Sequence, residues 1–175
     1  MVKVGINGFG RIGRNVLRAV IESHEKEIKV VAINDSGPIN TNVHLLKYDS
    51  VHGRLNSDIK IINENTFEIN GMEIKKLSNR NPEELEWGKL GVDIVLECTG
   101  KFNNKTDAMK HIQSGAKKVL ISAPAKDADL TVVYGVNEQD INSSHNIISN
   151  ASCTTNCLAP IAKVLNDNFG IEEGF

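Results

Sequence analysis

The stretch Lys3-Val4-Gly5-Ile6-Asn7-Gly8-Phe9-Gly10-Arg11-Ile12-Gly13 near the start of the chain decides its fold. The apolar, partly β-branched residues predict a strand from Val2 to Asn7, and the glycines that follow predict a tight turn into a helix. A turn of this kind brings backbone N–H groups and a helix N-terminus close to a pyrophosphate. The spacing Gly8-x-Gly10-x-x-Gly13 therefore indicates a dinucleotide-binding turn.

Asp35 is the second element of this predicted site. It follows the second predicted strand, Ile28 to Ile33, where an acidic residue is expected to meet the adenosine ribose. Its carboxylate would accept hydrogen bonds from the ribose hydroxyls and repel a 2′-phosphate, which favours NAD over NADP. Taken alone, Asp35 is also explained as a turn residue at a strand end, and Arg11 as a solvated arginine at a helix start. Because strand, glycines, helix and acidic residue occur in the expected order, we predict NAD as the cofactor.

The rest of the pattern alternates between strands and helices, which predicts an α/β fold with a Rossmann-type, doubly wound and mostly parallel sheet. The first predicted helix carries Ile12, Val16, Ala19 and Val20 on one face. Helices are predicted at about Arg11 to Ser23, Thr41 to Tyr48 and Lys105 to Ser114. Later strands are predicted at Asp93 to Cys98, Lys118 to Ser122, Thr131 to Tyr134 and Ile147 to Ser149. An antiparallel insertion is predicted from Ile59 to Ile62 and Phe67 to Lys75, with Asn70-Gly71 as a hairpin turn.

A cysteine lies among small polar residues in the stretch SNASCTTNCLAP, residues 149–160. Cys153 begins a predicted helix, where unpaired N–H groups and the helix dipole favour a thiolate, the nucleophilic form. The simpler interpretation is a small buried core residue. A metal site shared with Cys157 is a third, but the sequence has no second Cys/His pair at a suitable spacing. A dinucleotide site followed by an activated cysteine indicates hydride chemistry on an aldehyde.

The helix that begins at Cys153 is predicted to continue to about Phe169 and to start a second domain. Its apolar residues, Leu158, Ile161 and Leu165 among them, recur at helical spacing, and Pro160 is expected to bend the axis. We predict a buried, kinked helix whose apolar face should pack on a sheet, and we expect the 175 residues alone to leave that face exposed. The predicted domains are therefore residues 1–150, which bind the cofactor, and residues 151–175, which begin a catalytic domain.

Composition excludes several functional classes. Of 175 residues, 40% are hydrophobic and 24% charged, and the net charge of −2 provides no electrostatic footprint for a nucleic acid. No apolar run reaches the roughly 18 residues of a membrane-spanning helix, and the polar N-terminus lacks the pattern of a signal peptide. Three cysteines are too few for a disulfide framework, so a cytoplasmic location is expected.

The motifs described so far resemble the glyceraldehyde-3-phosphate dehydrogenase family. Further segments are similar to that family in order and spacing, and the resemblance covers the whole chain. These segments are Asn34-Asp35, Lys47 to Gly53, Glu97-Cys98-Thr99-Gly100 and Ile121-Ser122-Ala123-Pro124. The resemblance implies the nucleotide-binding domain of the family followed by the first helix of its catalytic domain.

The resemblance also implies roles for individual residues. Cys153 would be the catalytic nucleophile, and Ser152 and Thr154 would contact the substrate or inorganic phosphate. Residues implied to bind NAD are Asn7, Gly8, Gly10, Arg11, Ile12, Gly13, Asp35, Arg80, Thr99, Gly100, Phe102 and Ser122. No metal is implied.

The activity implied by the resemblance is the glycolytic, NAD-dependent oxidation of glyceraldehyde 3-phosphate with inorganic phosphate to 1,3-bisphosphoglycerate. The family is commonly a homotetramer, which implies a homo-oligomer here. In the family, the histidine that acts as the base follows the segment matched by this chain, so the 175 residues alone are expected to turn over little substrate. Two alternatives stay open: erythrose-4-phosphate dehydrogenase, which has the same chemistry, and a non-catalytic NAD-binding module.

Overall fold

A computed structural model describes residues 1–24 and 26–174; Phe175, the last residue of the predicted second-domain segment, lies outside them. The strands are β1 (Val2–Asn7), β2 (Ile28–Asn34), β3 (Tyr48–Asp49), β4 (Gly53–Arg54), β5 (Ile59–Asn63), β6 (Thr66–Ile69), β7 (Met72–Leu77), β8 (Ile94–Glu97), β9 (Lys118–Ile121), β10 (Leu130–Thr131) and β11 (Ile147–Ser149). The α-helices are α1 (Arg11–Glu22), α2 (Ile39–Lys47), α3 (Trp87–Leu90), α4 (Lys105–Gln113) and α5 (Cys153–Phe169).

One large sheet organises the described residues. Its strand order is β10-β11-β9-β8-β1-β2-β7-β6-β5, and every pair from β10 to β7 is parallel. The strand order reverses between β1 and β8, which is the topological switch point where doubly wound sheets bind ligands beyond the carboxyl ends of their strands. The predicted α/β fold with a mostly parallel sheet is confirmed.

Apolar side chains cover both faces of this sheet. Adjacent residues of a strand point to opposite faces, so Ile33 enters one cluster with Leu17 of α1 and Leu46 of α2, while Ala32 enters the other with Trp87 and Ala108. Each of these six side chains is fully buried. The helices on the two faces therefore hold the carboxyl edge of the sheet in place.

Two sequence-based predictions within these elements were wrong. The face of α1 that packs on the sheet is defined by Gly13 and Leu17, whereas Ile12 is 50% exposed. The reason is the contact between Gly13 and the preceding turn, which rotates Ile12 outwards. The strand predicted to reach Tyr134 ends at Thr131, and Tyr134 is exposed.

The antiparallel insertion is part of the main sheet. The predicted Asn70-Gly71 turn joins β6 to β7, and both residues have positive φ, 49° and 81°. The strand β7 then pairs in parallel with β2 through Ala32 to Asn34. The insertion therefore lengthens the sheet on the side of Asp35.

A small hairpin, β3–β4, was not predicted from the sequence. It is held by Arg18 of α1, a buried residue whose guanidinium donates to the Leu46 carbonyl at 3.1 Å and the Gly53 carbonyl at 3.0 Å. Backbone carbonyls are the partners that allow an arginine to be buried. The hairpin carries Asp49, which contacts the glycine-rich turn.

The last helix, α5, begins and ends as predicted and continues through Pro160. None of its residues is buried, so its apolar face is exposed, as expected for the 175 residues alone. Its exposed apolar side chains include Leu158, at 66% exposure, and Phe169, at 82%. No helix among the described residues is long and apolar enough to cross a membrane.

The contact between α1 and the turn before it gives a first prediction. A Cβ on Gly13 would lie 2.1 Å from the Gly8 carbonyl oxygen, whereas a Cβ on Gly10 would meet nothing within 4 Å. Alanine normally stabilises a helix relative to glycine by about 1 kcal/mol. We nevertheless expect Gly13→Ala to lower the free energy of unfolding by about 3 kcal/mol, a typical cost of overpacking.

The matched control is Gly10→Ala, which we expect to cost less than about 1 kcal/mol. Urea denaturation followed by circular dichroism measures both changes. Equal effects of the two substitutions, or a more stable Gly13→Ala protein, would contradict this view of the turn.

Candidate cofactor and nucleophile sites

The main candidate for a functional site is a cleft of about 460 Å³ at the carboxyl edge of the sheet. It lies across the switch point, because its walls come from the residues that end or follow β1, β2, β7 and β8. The lining residues are Asn7, Gly8, Gly10, Asn34, Asp35, Ser36, Asn79, Arg80, Cys98, Thr99, Lys101 and Phe102. Its volume is in the range of small-molecule and cofactor sites.

Asp35 fastens the glycine-rich turn to the end of β2. Its Oδ2 accepts a hydrogen bond from the Phe9 N–H at 3.2 Å, and its Oδ1 accepts one from the Gly37 N–H at 2.7 Å. A carboxylate offers about four acceptor positions, so about two remain for a ligand. Asp35 therefore holds the loop and presents acceptors to the cleft at the same time.

The glycines of the turn leave the space that a ligand backbone contact requires. Gly8 has a φ of 91°, and a Cβ on it would lie 2.7 Å from the Thr99 amide nitrogen. Gly10 lines the cleft, and a Cβ on it would point into open space. Residues with side chains at these two positions would strain the turn in the first case and narrow the cleft in the second.

Arg11 does not line the cleft in this structure. Its guanidinium donates to both carboxylate oxygens of Asp49, at 3.0 and 3.3 Å. The N–H groups of His52 and Val51, together with Arg11, hold the pKa of Asp49 at about 2. The NAD contact implied for Arg11 would therefore require the guanidinium to share or leave this pair.

The structure brings together seven of the residues that the sequence assigned to the cofactor: Asn7, Gly8, Gly10, Asp35, Arg80, Thr99 and Phe102. The other five, Arg11, Ile12, Gly13, Gly100 and Ser122, lie outside the residues that line the cleft. Among these five, Gly13 packs closely against the Gly8 carbonyl of the turn, and Ser122 forms a hydrogen bond with the Cys98 thiol.

Sequence reasoning missed Asn34 and Asn79 as parts of this wall. The Asn34 side chain donates to the Asn79 carbonyl at 2.8 Å and accepts from the Asn79 N–H at 2.9 Å. This pair fixes the loop after β7 that carries Arg80 to the cleft. The only signal in the sequence was a polar residue at a strand end, directly before Asp35.

The segment that leads to Cys153 makes a sharp turn at the end of β11. Ala151 has a positive φ of 57°, an uncommon conformation for a residue with a Cβ. The Ser149 hydroxyl holds this turn, since it donates to the Ala123 carbonyl and accepts from the Ala151 N–H, at 2.8 and 3.1 Å. Helix α5 then starts directly, with Cys153 in its first position.

Ser152 is the N-cap of α5. Its Oγ accepts a hydrogen bond from the Thr155 N–H at 3.0 Å and lies 2.9 Å from the Thr154 hydroxyl. Cys153 is exposed, so the interpretation of this residue as a buried core cysteine is wrong. The arrangement places a thiol and two hydroxyls together at a helix N-terminus.

The three cysteines are all free and lie in different surroundings. Burial raises the pKa of the Cys98 thiol to about 11, although a hydrogen bond with Ser122 lowers it. Cys157 is exposed like Cys153 but lies one helical turn further from the N-terminus. Among the described residues, no group of three or more histidine, cysteine, aspartate or glutamate side chains is placed to hold a metal ion.

The cleft and Cys153 share one edge of the sheet. The strands β2, β1, β8, β9 and β11 are consecutive and parallel, so their carboxyl ends point the same way. Four strand spacings of about 4.8 Å separate β2 from β11, or roughly 19 Å. An extended ligand along this edge has Asp35 towards one end and the Cys153 helix towards the other.

Comparisons with known proteins agree with this layout. Residues 2–105 match the family described as glyceraldehyde 3-phosphate dehydrogenase, NAD binding domain, and residues 152–175 match the C-terminal domain of the same enzyme. The glyceraldehyde-3-phosphate dehydrogenase of Xanthobacter flavus is 60% identical over 174 residues, and those of Geobacillus stearothermophilus and Streptomyces coelicolor are each 58% identical over 174 residues. The alignments cover 99% of this chain and 51–52% of each relative, so the chain spans about half the length of the curated relatives it matches.

The different surroundings of the cysteines give a second prediction. We expect iodoacetamide at neutral pH to alkylate Cys153 first, because it is exposed and lies at the positive end of the helix dipole. Cys157 should react more slowly, and Cys98 most slowly because its thiol is largely buried. Peptide mass spectrometry over a time course measures the three rates.

The control for the alkylation experiment is Cys157→Ser, which should leave the rate at Cys153 unchanged. Faster labelling of Cys98 or Cys157 than of Cys153 would contradict the assignment of Cys153 as the reactive thiol.

Proposed function

The chain belongs to the glyceraldehyde-3-phosphate dehydrogenase family, and on that premise we propose that it carries the NAD site and the nucleophile of a phosphorylating aldehyde dehydrogenase. The proposed substrate is glyceraldehyde 3-phosphate, because the relatives of the chain are named glyceraldehyde-3-phosphate dehydrogenases. The observation that carries the proposal is the common edge of the sheet at which the cleft and the Cys153 helix both lie.

The residues that line the cleft match the chemical groups of NAD. Asp35 offers acceptor positions to the paired hydroxyls of an adenosine ribose, and its charge disfavours a 2′-phosphate. Gly8 and Gly10 allow close backbone approach, which a pyrophosphate at a helix N-terminus requires. Arg80, Thr99 and Phe102 supply the remaining polar and aromatic contacts from the same cleft. When bound, NAD supplies the hydride acceptor of the reaction.

Cys153 supplies the covalent chemistry of the proposed reaction. The thiolate attacks the aldehyde carbon to form a thiohemiacetal, and removal of a hydride from that carbon leaves an acyl thioester. Inorganic phosphate then attacks the thioester carbonyl, forms the acyl phosphate and releases the Cys153 thiolate. Ser152 and Thr154 would bind the substrate or inorganic phosphate, and the position of their hydroxyls in the same turn as the thiol supports this role.

The proposed domain boundary lies at the Ala151 turn. Residues 1–150 would form the cofactor domain, and residues 151–175 would begin the catalytic domain. The exposed apolar side chains of α5 and the match of residues 152–175 to the C-terminal domain support this division. A homo-oligomer and a cytoplasmic location are part of the same proposal.

The direct test is an NADH assay on the polypeptide as its own cells make it. We expect NADH formation from glyceraldehyde 3-phosphate that requires inorganic phosphate, is abolished by Cys153→Ser and persists in Cys157→Ser. Faster turnover of erythrose 4-phosphate would favour an erythrose-4-phosphate dehydrogenase. No turnover of either aldehyde would favour a non-catalytic NAD-binding module. Activity that survives Cys153→Ser would contradict the proposed mechanism.

A third prediction concerns the choice of cofactor. Asp35→Asn should weaken NAD⁺ binding by roughly tenfold or more, because hydrogen bonds to a charged group contribute about 1.5–3 kcal/mol. The same substitution should strengthen NADP⁺ binding, since it removes the negative charge that opposes the 2′-phosphate. Isothermal titration calorimetry with both cofactors gives the ratio of the two dissociation constants.

The matched control is Asp58→Asn, which removes a surface carboxylate paired with Lys60, away from the cleft. It should leave the ratio unchanged. A parallel loss of NAD⁺ and NADP⁺ affinity in Asp35→Asn would show that Asp35 acts on the loop alone.

A further inference from the structure

A continuous set of buried polar side chains runs from the interior of the protein to the wall of the cleft, and the proposed reaction uses only part of it. Each member is joined to the next by a hydrogen bond. We call this set the buried relay; its members are Trp87, His111, Glu97, Asn7 and Asn34, and the Asn34 amide in turn donates to the backbone carbonyl of Asn79. Trp87, His111, Glu97 and Asn7 are each at most 1% exposed. Groups buried this deeply destabilise the fold unless their hydrogen bonds are made.

The direction of the relay is set at its inner end. The Trp87 Nε1 lies 3.0 Å from the His111 Nδ1, and an indole N–H can only donate. The His111 Nδ1 therefore accepts, and the imidazole carries its hydrogen on Nε2. This Nε2 lies 3.0 Å from the Glu97 Oε2, so it donates to the carboxylate.

Glu97 connects His111 to two residues that line the cleft, Asn7 and Thr99. Its Oε2 also accepts from the Asn7 Nδ2 at 2.6 Å, and its Oε1 accepts from the Thr99 N–H at 2.7 Å and from the Thr99 hydroxyl. Because the amide nitrogen of Asn7 faces Glu97, its Oδ1 faces outwards and accepts from Asn34 at 2.7 Å. The Thr99 hydroxyl has donated its hydrogen, so it can only accept from a ligand.

His111 also supports the cleft by direct contact. The ring of Phe102 meets the imidazole edge-on, with centroids 6.3 Å apart and an interplanar angle of 90°. Phe102, Thr99 and Asn7 all line the cleft, whereas His111 does not. His111 therefore reaches three lining residues without touching the ligand space.

We propose that His111 is a positioning residue for the dinucleotide cleft, acting through Glu97 on Thr99 and Asn7 and by contact on Phe102. This proposal rests on the proposed function, because it assumes that the cleft binds NAD. Without the imidazole, Glu97 loses a buried donor and the Trp87 indole loses its acceptor. Thr99 and Asn7 then lose the fixed orientation that a ligand requires, and the affinity for NAD⁺ falls.

The test compares NAD⁺ affinity and thermal stability in the 175-residue chain and three variants. His111→Phe removes both hydrogen bonds but keeps an aromatic ring, and we expect the dissociation constant for NAD⁺ to rise roughly tenfold. His111→Gln carries an acceptor for Trp87 and a donor for Glu97, so it should stay within about threefold of the wild type. Met109→Ala is the matched control, because Met109 lies on the same helix and packs against the apolar cluster of Trp87. It should lower the melting temperature without changing the dissociation constant.

A second measurement needs no variant to fold. Trp87 is the single tryptophan of the chain, so its indole N–H gives one signal in a ¹H–¹⁵N spectrum. We expect this signal to shift as the wild-type chain is saturated with NAD⁺, although Trp87 does not line the cleft. A signal that stays fixed at saturation overturns the proposal.

Three results of the affinity measurements would also overturn the positioning role of His111. Wild-type affinity in His111→Phe overturns the positioning role, and so does an equal loss of affinity in His111→Phe, His111→Gln and Met109→Ala. A wild-type chain that does not bind NAD⁺ at all overturns the proposed function itself, and the positioning role falls with it.

Discussion

The contact between Gly13 and the Gly8 carbonyl is the constraint on which the rest of the site depends. Helix α1 can begin so soon after β1 because Gly13 has no side chain where the helix meets the Gly8 carbonyl, and because Gly8 has none where the turn meets Thr99. The helix N-terminus is thereby aimed at the carboxyl edge of the sheet, and Leu17 is turned into the core. The same geometry leaves the cleft open in front of Gly10.

The second requirement is that the floor of the cleft be both polar and rigid. The strands β1, β2 and β8 are apolar along most of their length but end in Asn7, Asn34 and Glu97. These three side chains are buried and bonded to one another, so their amides and carboxylate take one orientation. A floor of this kind is costly to disturb, since each buried polar group depends on the next for its hydrogen bond.

The sequence predicted those features that depend on local patterns. The strand β1, the glycines, Asp35 and the start of α5 at Cys153 each follow from a few neighbouring residues. Features that depend on distant parts of the chain were not predicted: the pairing of β7 with β2, the ion pair of Arg11 with Asp49, and the exposure of Ile12.

The buried relay was missed for the same reason. Asparagine and histidine are usual at surfaces and in loops, and Asn34, His111 and Trp87 come together only when the sheet forms. One local signal was present: Glu97 ends an otherwise apolar strand, and a buried carboxylate needs partners. The structure establishes where the predicted site residues lie and which side chains they contact. Their catalytic and binding roles stay predictions.

The most direct test is a crystal structure of the chain with NAD⁺. We expect the dinucleotide to lie along the carboxyl edge of the sheet, with ribose hydroxyls within about 3.2 Å of the Asp35 carboxylate. We also expect the hydrogen bonds of Glu97 with His111 and Thr99 to be retained when the cofactor is bound. A dinucleotide bound away from this edge, or an adenosine ribose without contact to Asp35, would contradict the proposed site.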